Sequence, residues 1–172
     1  RKGIEIAIDL VNKLEDNNIK LIITGSQADD EGELYYNQLN EQINKLKLNR
    51  QVIFASHLIH SKGLKGKSKT SFSLSDAYAN ADACTYFSTY EGFGNAFVEC
   101  VLSKTPIFVN NYKPVYWPDI GSKGFKTVML EDNQITDKAV EEVKKIIYDK
   151  NYSREVAEYN YELGKKYFSY DV

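Results

Sequence analysis

The sequence predicts an α/β fold, a parallel sheet with helices on both faces. Three observations lead there. Segments with apolar residues three and four apart alternate with short apolar runs of strand length from the first residues onward. Near the middle, the strand-like run at residues 83–87 enters a glycine-containing turn that opens an amphipathic segment. The ends of the strand-like runs, at Gly25-Ser26, Ser56-His57, residues 88–95 and Asn110-Asn111, carry several small or polar residues. In an open parallel sheet, ligands bind beyond those carboxyl ends.

Taken in order, Ile4, Ala7, Leu10, Val11 and Leu14 predict a helix over 4–17, closed by Asn17-Asn18. Residues 20–24 read as a strand and 32–48 as a second helix, with Leu39, Ile43 and Leu46 on one face. A second strand is expected at 51–55. Residues 59–73 break the alternation, with Lys62, Lys65, Lys67 and Lys69 and no acid, and read as a long loop. A short helix over 74–80 is capped by Ser73 or Ser75. The strand at 83–87 is followed by a helix at 95–103. Further strands at 106–109 and 127–130 come next, then helices at 137–148 and 153–168. With no internal repeat, the reading is one α/β domain over residues 1–172.

Composition narrows the functions. A chain of 172 residues, 42% hydrophobic and 13% aromatic, can bury a sizeable core. A net charge of −2 gives no reason to expect nucleic acid or an acidic membrane as partner. No apolar run reaches the ~20 residues that span a bilayer, so no transmembrane segment is expected. Cys84 and Cys100 stand apart from any Cys-x-x-Cys or histidine and read as reduced buried thiols, which implies a cytoplasmic location. Because Arg1-Lys2-Gly3 runs straight into a helix, the chain is expected to be part of a longer protein.

The central turn, Thr89-Tyr90-Glu91-Gly92-Phe93-Gly94-Asn95-Ala96-Phe97-Val98-Glu99, holds the chemistry. A strand, a glycine turn and a helix start leave backbone N–H groups unpaired where the helix dipole favours an anion. Two carboxylates bracket that position, Glu91 before the turn and Glu99 one turn into the helix. A carboxylate can accept bonds from adjacent hydroxyls of one sugar. Eight residues of helical rise span about 12 Å. Glycosidase carboxylates stand about 5–9.5 Å apart, so the pair suits ligand holding better than acid–base work.

This run resembles the Glu-x7-Glu signature, with its inner Gly-Phe-Gly, of family 4 retaining nucleotide-sugar glycosyltransferases. Other segments agree in order. Arg1-Lys2-Gly3, Ile22-Ile23-Thr24-Gly25-Ser26, Ala77-Tyr78 with Ala81-Asp82-Ala83, Ser88, and Thr105-Pro106-Ile107-Phe108-Val109 are each similar to a run of the family's donor-binding half. The resemblance implies a Rossmann-like fold, the C-terminal half of a GT-B enzyme, with an N-terminal acceptor domain absent from this chain. Asn95-Ala96-Phe97-Val98-Glu99, residues 106–111, Pro114-Val115-Tyr116, Asp119-Ile120, Gly124-Phe125 and Ile135-Thr136-Asp137-Lys138-Ala139-Val140 resemble the subgroup that makes mannosylglucosylglycerate, a compatible solute.

The resemblance also implies a role for individual residues. The donor is a UDP- or GDP-sugar, and the acceptor a sugar or glycoside. Lys2 contacts the diphosphate. Glu91 takes hydroxyls of the donor sugar, assisted by the backbone N–H groups of Phe93 and Gly94, with Gly92 also counted in the donor site, and Lys2 and Glu91 are the catalytic candidates. Asn95 and Ala96 face the phosphates, Glu99 the ribose diol, and Gly25 lies in the family's first strand turn. His57 could approach the base or phosphate from its strand end, or be an ordinary loop residue. No Asp-x-Asp occurs, so neither a metal nor another cofactor is expected; Asp29-Asp30-Glu31-Gly32-Glu33 reads as solvated acids at a helix start. The Lys-rich loop is read as solvated, and Tyr116 and Trp117 as packing a surface turn. Asn110 and Asn111 could reach the donor or cap the next turn. A non-catalytic nucleotide-sugar-binding module is the competing function. A flavodoxin-like or receiver domain would need an acidic cluster or flavin loop that the sequence lacks.

Overall fold

The computed structural model describes residues 2–25, 33–60, 72–112 and 115–169. These form two compact units, one of residues 3–77 and one of Lys2 with the chain from Tyr78 onward. Every strand pair in both is parallel, as predicted; a lone antiparallel bridge joins Glu131 and Gln134.

In the first unit, helix α1 (Ile4–Leu14) buries Ile6, Ala7, Ile8, Leu10, Val11 and Leu14. It stops three residues short of the expected end because Glu15 turns left-handed (φ 54°), and the Asp16 carboxylate then accepts from the backbone and side chain of Asn18. Strand β1 (Leu21–Ile23), helix α2 (Glu33–Lys45) and strand β2 (Val52–Phe54) come after it, with β1 and β2 in register Leu21↔Val52 to Ile23↔Phe54. The core is mainly aliphatic: Ile8, Val11, Ile23, Leu39, Ile43, Leu48 and Val52. Gln51, 7% exposed, donates through Nε2 to the carbonyls of Asp16 and Ile19 and so ties the turn before β1 to the start of β2.

The stretch read as loop at 59–73 begins and ends as strand. Strands β3 (Ile59–His60) and β4 (Phe72–Ser73) pair in parallel, and two residues apiece are too few to show a period. The four lysines lie outside the described residues, as do Ser26, Pro114 and the acids at 29–31. Helix α3 (Leu74–Asn80) is capped by Ser73: its Oγ accepts from the Asp76 N–H at 3.1 Å, while the Asp76 carboxylate accepts from the Ser73 N–H at 2.8 Å. The Ser73 hydroxyl also donates to that carboxylate at 2.7 Å, and this bond first and the Ser73 N–H second hold the Asp76 carboxyl below its ordinary value.

The second unit is built on strands β5 (Cys84–Tyr86), β6 (Ile107–Asn110) and β7 (Val128–Leu130), in that spatial order. Helix α4 (Asn95–Leu102) links the first two, and helices α5 (Asp137–Tyr148) and α6 (Lys150–Phe168) close the chain. Helix α6 begins earlier than expected because Asp149 caps it, accepting from the N–H groups of Asn151 and Tyr152. Gly164 lets α6 approach α4 closely; a Cβ there would lie 2.8 Å from Val101 Cγ1. The core mixes aromatic and aliphatic groups: Phe97, Cys100, Val101, Ile107, Val109, Tyr112, Tyr116 and Ile120.

Tyr116 corrects the surface-turn expectation. It opens a one-turn π-helix (Tyr116–Ile120), is 2% exposed and packs edge-on against Phe97 and Tyr112, whereas Trp117 beside it is half exposed. The turn carries Tyr116 and Ile120, four residues apart, inward together and leaves Trp117 toward the surface. Both cysteines are free thiols; Cys100 is buried and Cys84 half-buried.

Candidate active site

Strand β5 delivers the chain to Ser88, which is fully buried, and the turn to α4 begins there. Three residues on, the Glu91 side chain is 12% exposed. Its Oε1 accepts from Ser88 Oγ at 2.7 Å and from Lys2 Nζ at 2.9 Å, and the Tyr86 hydroxyl hydrogen-bonds the same carboxylate. Burial alone would raise the Glu91 carboxyl, but the bonds from Ser88 and Lys2, the Lys2 charge and Tyr86 together hold it below its ordinary value. Burial, with the Glu91 charge adding to it, pushes the Tyr86 phenol far above its usual range, so it remains a donor.

The turn ends at Gly94, whose φ of 119° suits glycine. A Cβ there would sit 2.6 Å from the Tyr112 hydroxyl, which donates to the Phe93 carbonyl at 3.2 Å. Tyr112 thus fills the space that Gly94 leaves and fixes the carbonyl before it. The Gly94 carbonyl accepts from Phe97 and Val98, and no side chain caps α4. The N–H groups of Asn95 and Ala96 therefore precede the first helical rung, in a helix-start geometry that favours an anion.

Glu99 behaves differently from Glu91. It is exposed, and its nearest side-chain partner is the Tyr78 hydroxyl at 3.5 Å. With Phe93, Asn95 and Val98 it lines a groove of about 430 Å³ whose other wall is Tyr167, Phe168 and Ser169 at the end of α6. Phe93, 38% exposed, packs edge-on against Phe168 at 5.7 Å. Gly92 is exposed.

The structure thus gathers Lys2, Glu91, Gly92, Phe93, Gly94, Asn95, Ala96 and Glu99 in one unit, and joins Lys2 to Glu91 across 89 positions of sequence. Gly25 and His57 lie in the other unit, just past the carboxyl ends of the paired strands β1 and β2. Asn110 turns inward: its amide bonds backbone on both sides and leaves the capping role. Asn111 donates to the Glu131 carboxylate at 2.7 Å. Sequence reasoning missed Tyr86 and Tyr112. Among thirteen tyrosines neither stands out, and the usable signal was that a phenol in or beside a buried strand must find a polar partner. Among the described residues, no three His, Cys, Asp or Glu side chains cluster as metal ligands, and no helix is long and apolar enough to cross a membrane.

A family profile described as glycosyl transferases group 1 matches residues 1–163. Mannosylglucosylglycerate synthases of Thermotoga maritima and Petrotoga mobilis are each 30% identical over 98% of this chain, which spans 43% and 44% of their lengths. These relatives agree with the subgroup that the sequence resembles. A crystal structure of Anabaena Alr3699/HepE in complex with UDP-glucose superposes with a TM-score of 0.74 at 19% identity, over 98% of this chain and 42% of that one. The fold is that of GT-B glycosyltransferases. With the glutamate turn, the helix start behind it and the matched profile in hand, the chain belongs to the group 1 glycosyltransferases.

Proposed function

We propose that this chain is the donor-binding half of a retaining glycosyltransferase that takes a sugar from a nucleoside diphosphate and passes it to a sugar or glycoside acceptor. The observation that carries the reading is the held, ionised Glu91 beside Lys2 at the opening of α4. An activated donor needs its leaving diphosphate neutralised and its sugar ring fixed. Lys2 and the N–H groups of Asn95 and Ala96 meet the first demand, with no metal called for. Glu91 meets the second by accepting from a sugar hydroxyl, and Glu99 accepts from the ribose diol.

The chain spans less than half of its relatives, so the acceptor site and the remaining catalytic groups are assigned to an N-terminal domain of the same protein. Mannosylglucosylglycerate formation is the activity the relatives favour. The free thiols suit a cytoplasmic setting. The test is calorimetry on the full-length protein with UDP- and GDP-sugars, comparing wild type with Glu99→Gln. One nucleotide sugar binds, and the variant loses about tenfold in affinity, the worth of one hydrogen bond to a charged group. Undiminished affinity in the variant removes Glu99 from the site. Binding with no transfer to any acceptor would leave a non-catalytic module.

A further inference from the structure

We infer that Asn110 is a positioning residue for Glu91, acting through Ser88. The β5–β6 ladder runs in register as far as Tyr86↔Val109, and beyond it the two chains diverge into the site turn and the segment after β6. Asn110, 3% exposed at the end of the middle strand, bridges that gap with its side chain. Its Nδ2 donates to the Ser88 carbonyl at 3.3 Å, and its Oδ1 accepts from the Asn133 N–H at 3.0 Å in the turn after β7. One acceptor partner and one donor partner fix which way the amide points.

The side chain therefore ties together the segments that leave the carboxyl ends of all three strands in this sheet. Ser88 is held by its carbonyl from one side, while its Oγ donates to Glu91 Oε1 at 2.7 Å from the other. With the serine backbone pinned, the hydroxyl has one direction to point. Glu91 Oε1 already receives Ser88 and Lys2, and the Tyr86 hydroxyl bonds the same carboxylate, so the direction of Ser88 helps to set how the carboxylate is presented. Without the amide, the Ser88 carbonyl is a buried acceptor short of a donor, and the turn relaxes to find one. Asparagine supplies donor and acceptor at a reach that aspartate, serine or leucine cannot match together.

The inference adds to the proposed function, but its first readout does not depend on a donor. The experiment follows the Glu91 carboxyl by carbon-detected NMR through a pH titration in wild type, Asn110→Ala, Ser88→Ala, the double variant and Asn160→Ala. Asn160 is a similarly buried amide of the same unit whose side chain hydrogen-bonds the Lys126 backbone, away from the turn in sequence. Expected is a rise in the Glu91 midpoint of about half a unit in Asn110→Ala and more in Ser88→Ala, with no further rise in the double variant. Asn160→Ala lowers stability and leaves the midpoint in place. Where the wild type binds a nucleotide sugar, Asn110→Ala weakens it about fivefold and Asn160→Ala does not. An unshifted midpoint in Asn110→Ala, or an additive shift in the double variant, overturns the inference. Failure of the wild type to bind any nucleotide sugar overturns the proposed function and leaves the titration result standing. Should Asn110→Ala not fold, Asn110→Ser is read by the same titration against the same two outcomes.

Discussion

Both units bury polar side chains at the starts of their strands, and one of them also does so at the carboxyl ends. Among the described residues of 3–77 that group is Gln51, which sits ahead of β2 and holds the carbonyls leading into β1. In the unit with the glutamate turn, Thr105 ahead of β6 and Asn160 beside the entry to β7 do comparable work. That unit adds Ser88 and Asn110 at the carboxyl ends, where a ligand would lie. A buried amide at a strand start stabilises the sheet; one at a strand end also aims the turn that leaves it. The difference separates the groups that maintain the fold from those that shape the site.

Three changes test that separation. The largest effect is expected from Gly94→Ala, which puts a methyl group against the Tyr112 hydroxyl at a left-handed φ. Strain and overpacking together cost about 3 kcal/mol in denaturant unfolding, and donor binding is lost with it. Adding Tyr112→Phe removes the nearest atom and recovers part of the stability, a coupling that a double-mutant cycle measures. Next is Gln51→Ala, which takes the amide from the Ile19 carbonyl, leaves the Asp16 carbonyl with the Ile19 N–H alone, and costs about 2 kcal/mol in the same assay. It leaves the Glu91 titration and nucleotide-sugar affinity as in the wild type; a change in either would erase the distinction between strand starts and strand ends.

The smallest effect is on the acid limb of Glu91→Gln. The folded-state carboxyl lies below its ordinary value, so its contribution to stability is present above the unfolded value and is lost as pH falls through the folded one. The stability difference between wild type and Glu91→Gln is therefore greatest near neutrality and shrinks in acid. Paired unfolding curves at several pH values read it, and a difference that grows in acid would contradict the assigned direction.

How much of this was legible in the sequence depends on how far apart the interacting groups lie. Helices α1, α4 and α5 follow from apolar spacing or turn signals within a few residues, and the glutamate turn from its glycines. The start of α6 was missed because Asp149 does its capping locally but resembles any surface acid. Strands β3 and β4 are too short to carry a pattern. Asn110, Gln51 and Asn160 are single polar residues whose burial depends on partners at least 22 positions away, so nothing local separates them from loop residues. The contact between Lys2 and Glu91 is longer still. The family resemblance sent both residues to a donor, and the fold makes each the other's partner as well.

The two thiols of this fold have a practical consequence. The Cys100 thiol lies in the core and donates to the Thr105 carbonyl at 3.4 Å, and its hydrogen bonding with the free Cys84 thiol first and burial second push its ionisation far upward. Only thiolates alkylate readily, so Cys100 stays inert while the sheet is closed and becomes reactive when the unit opens. Iodoacetamide labelling at that one position would clock the opening of this unit without any engineered probe, and a tightly bound ligand would slow the clock.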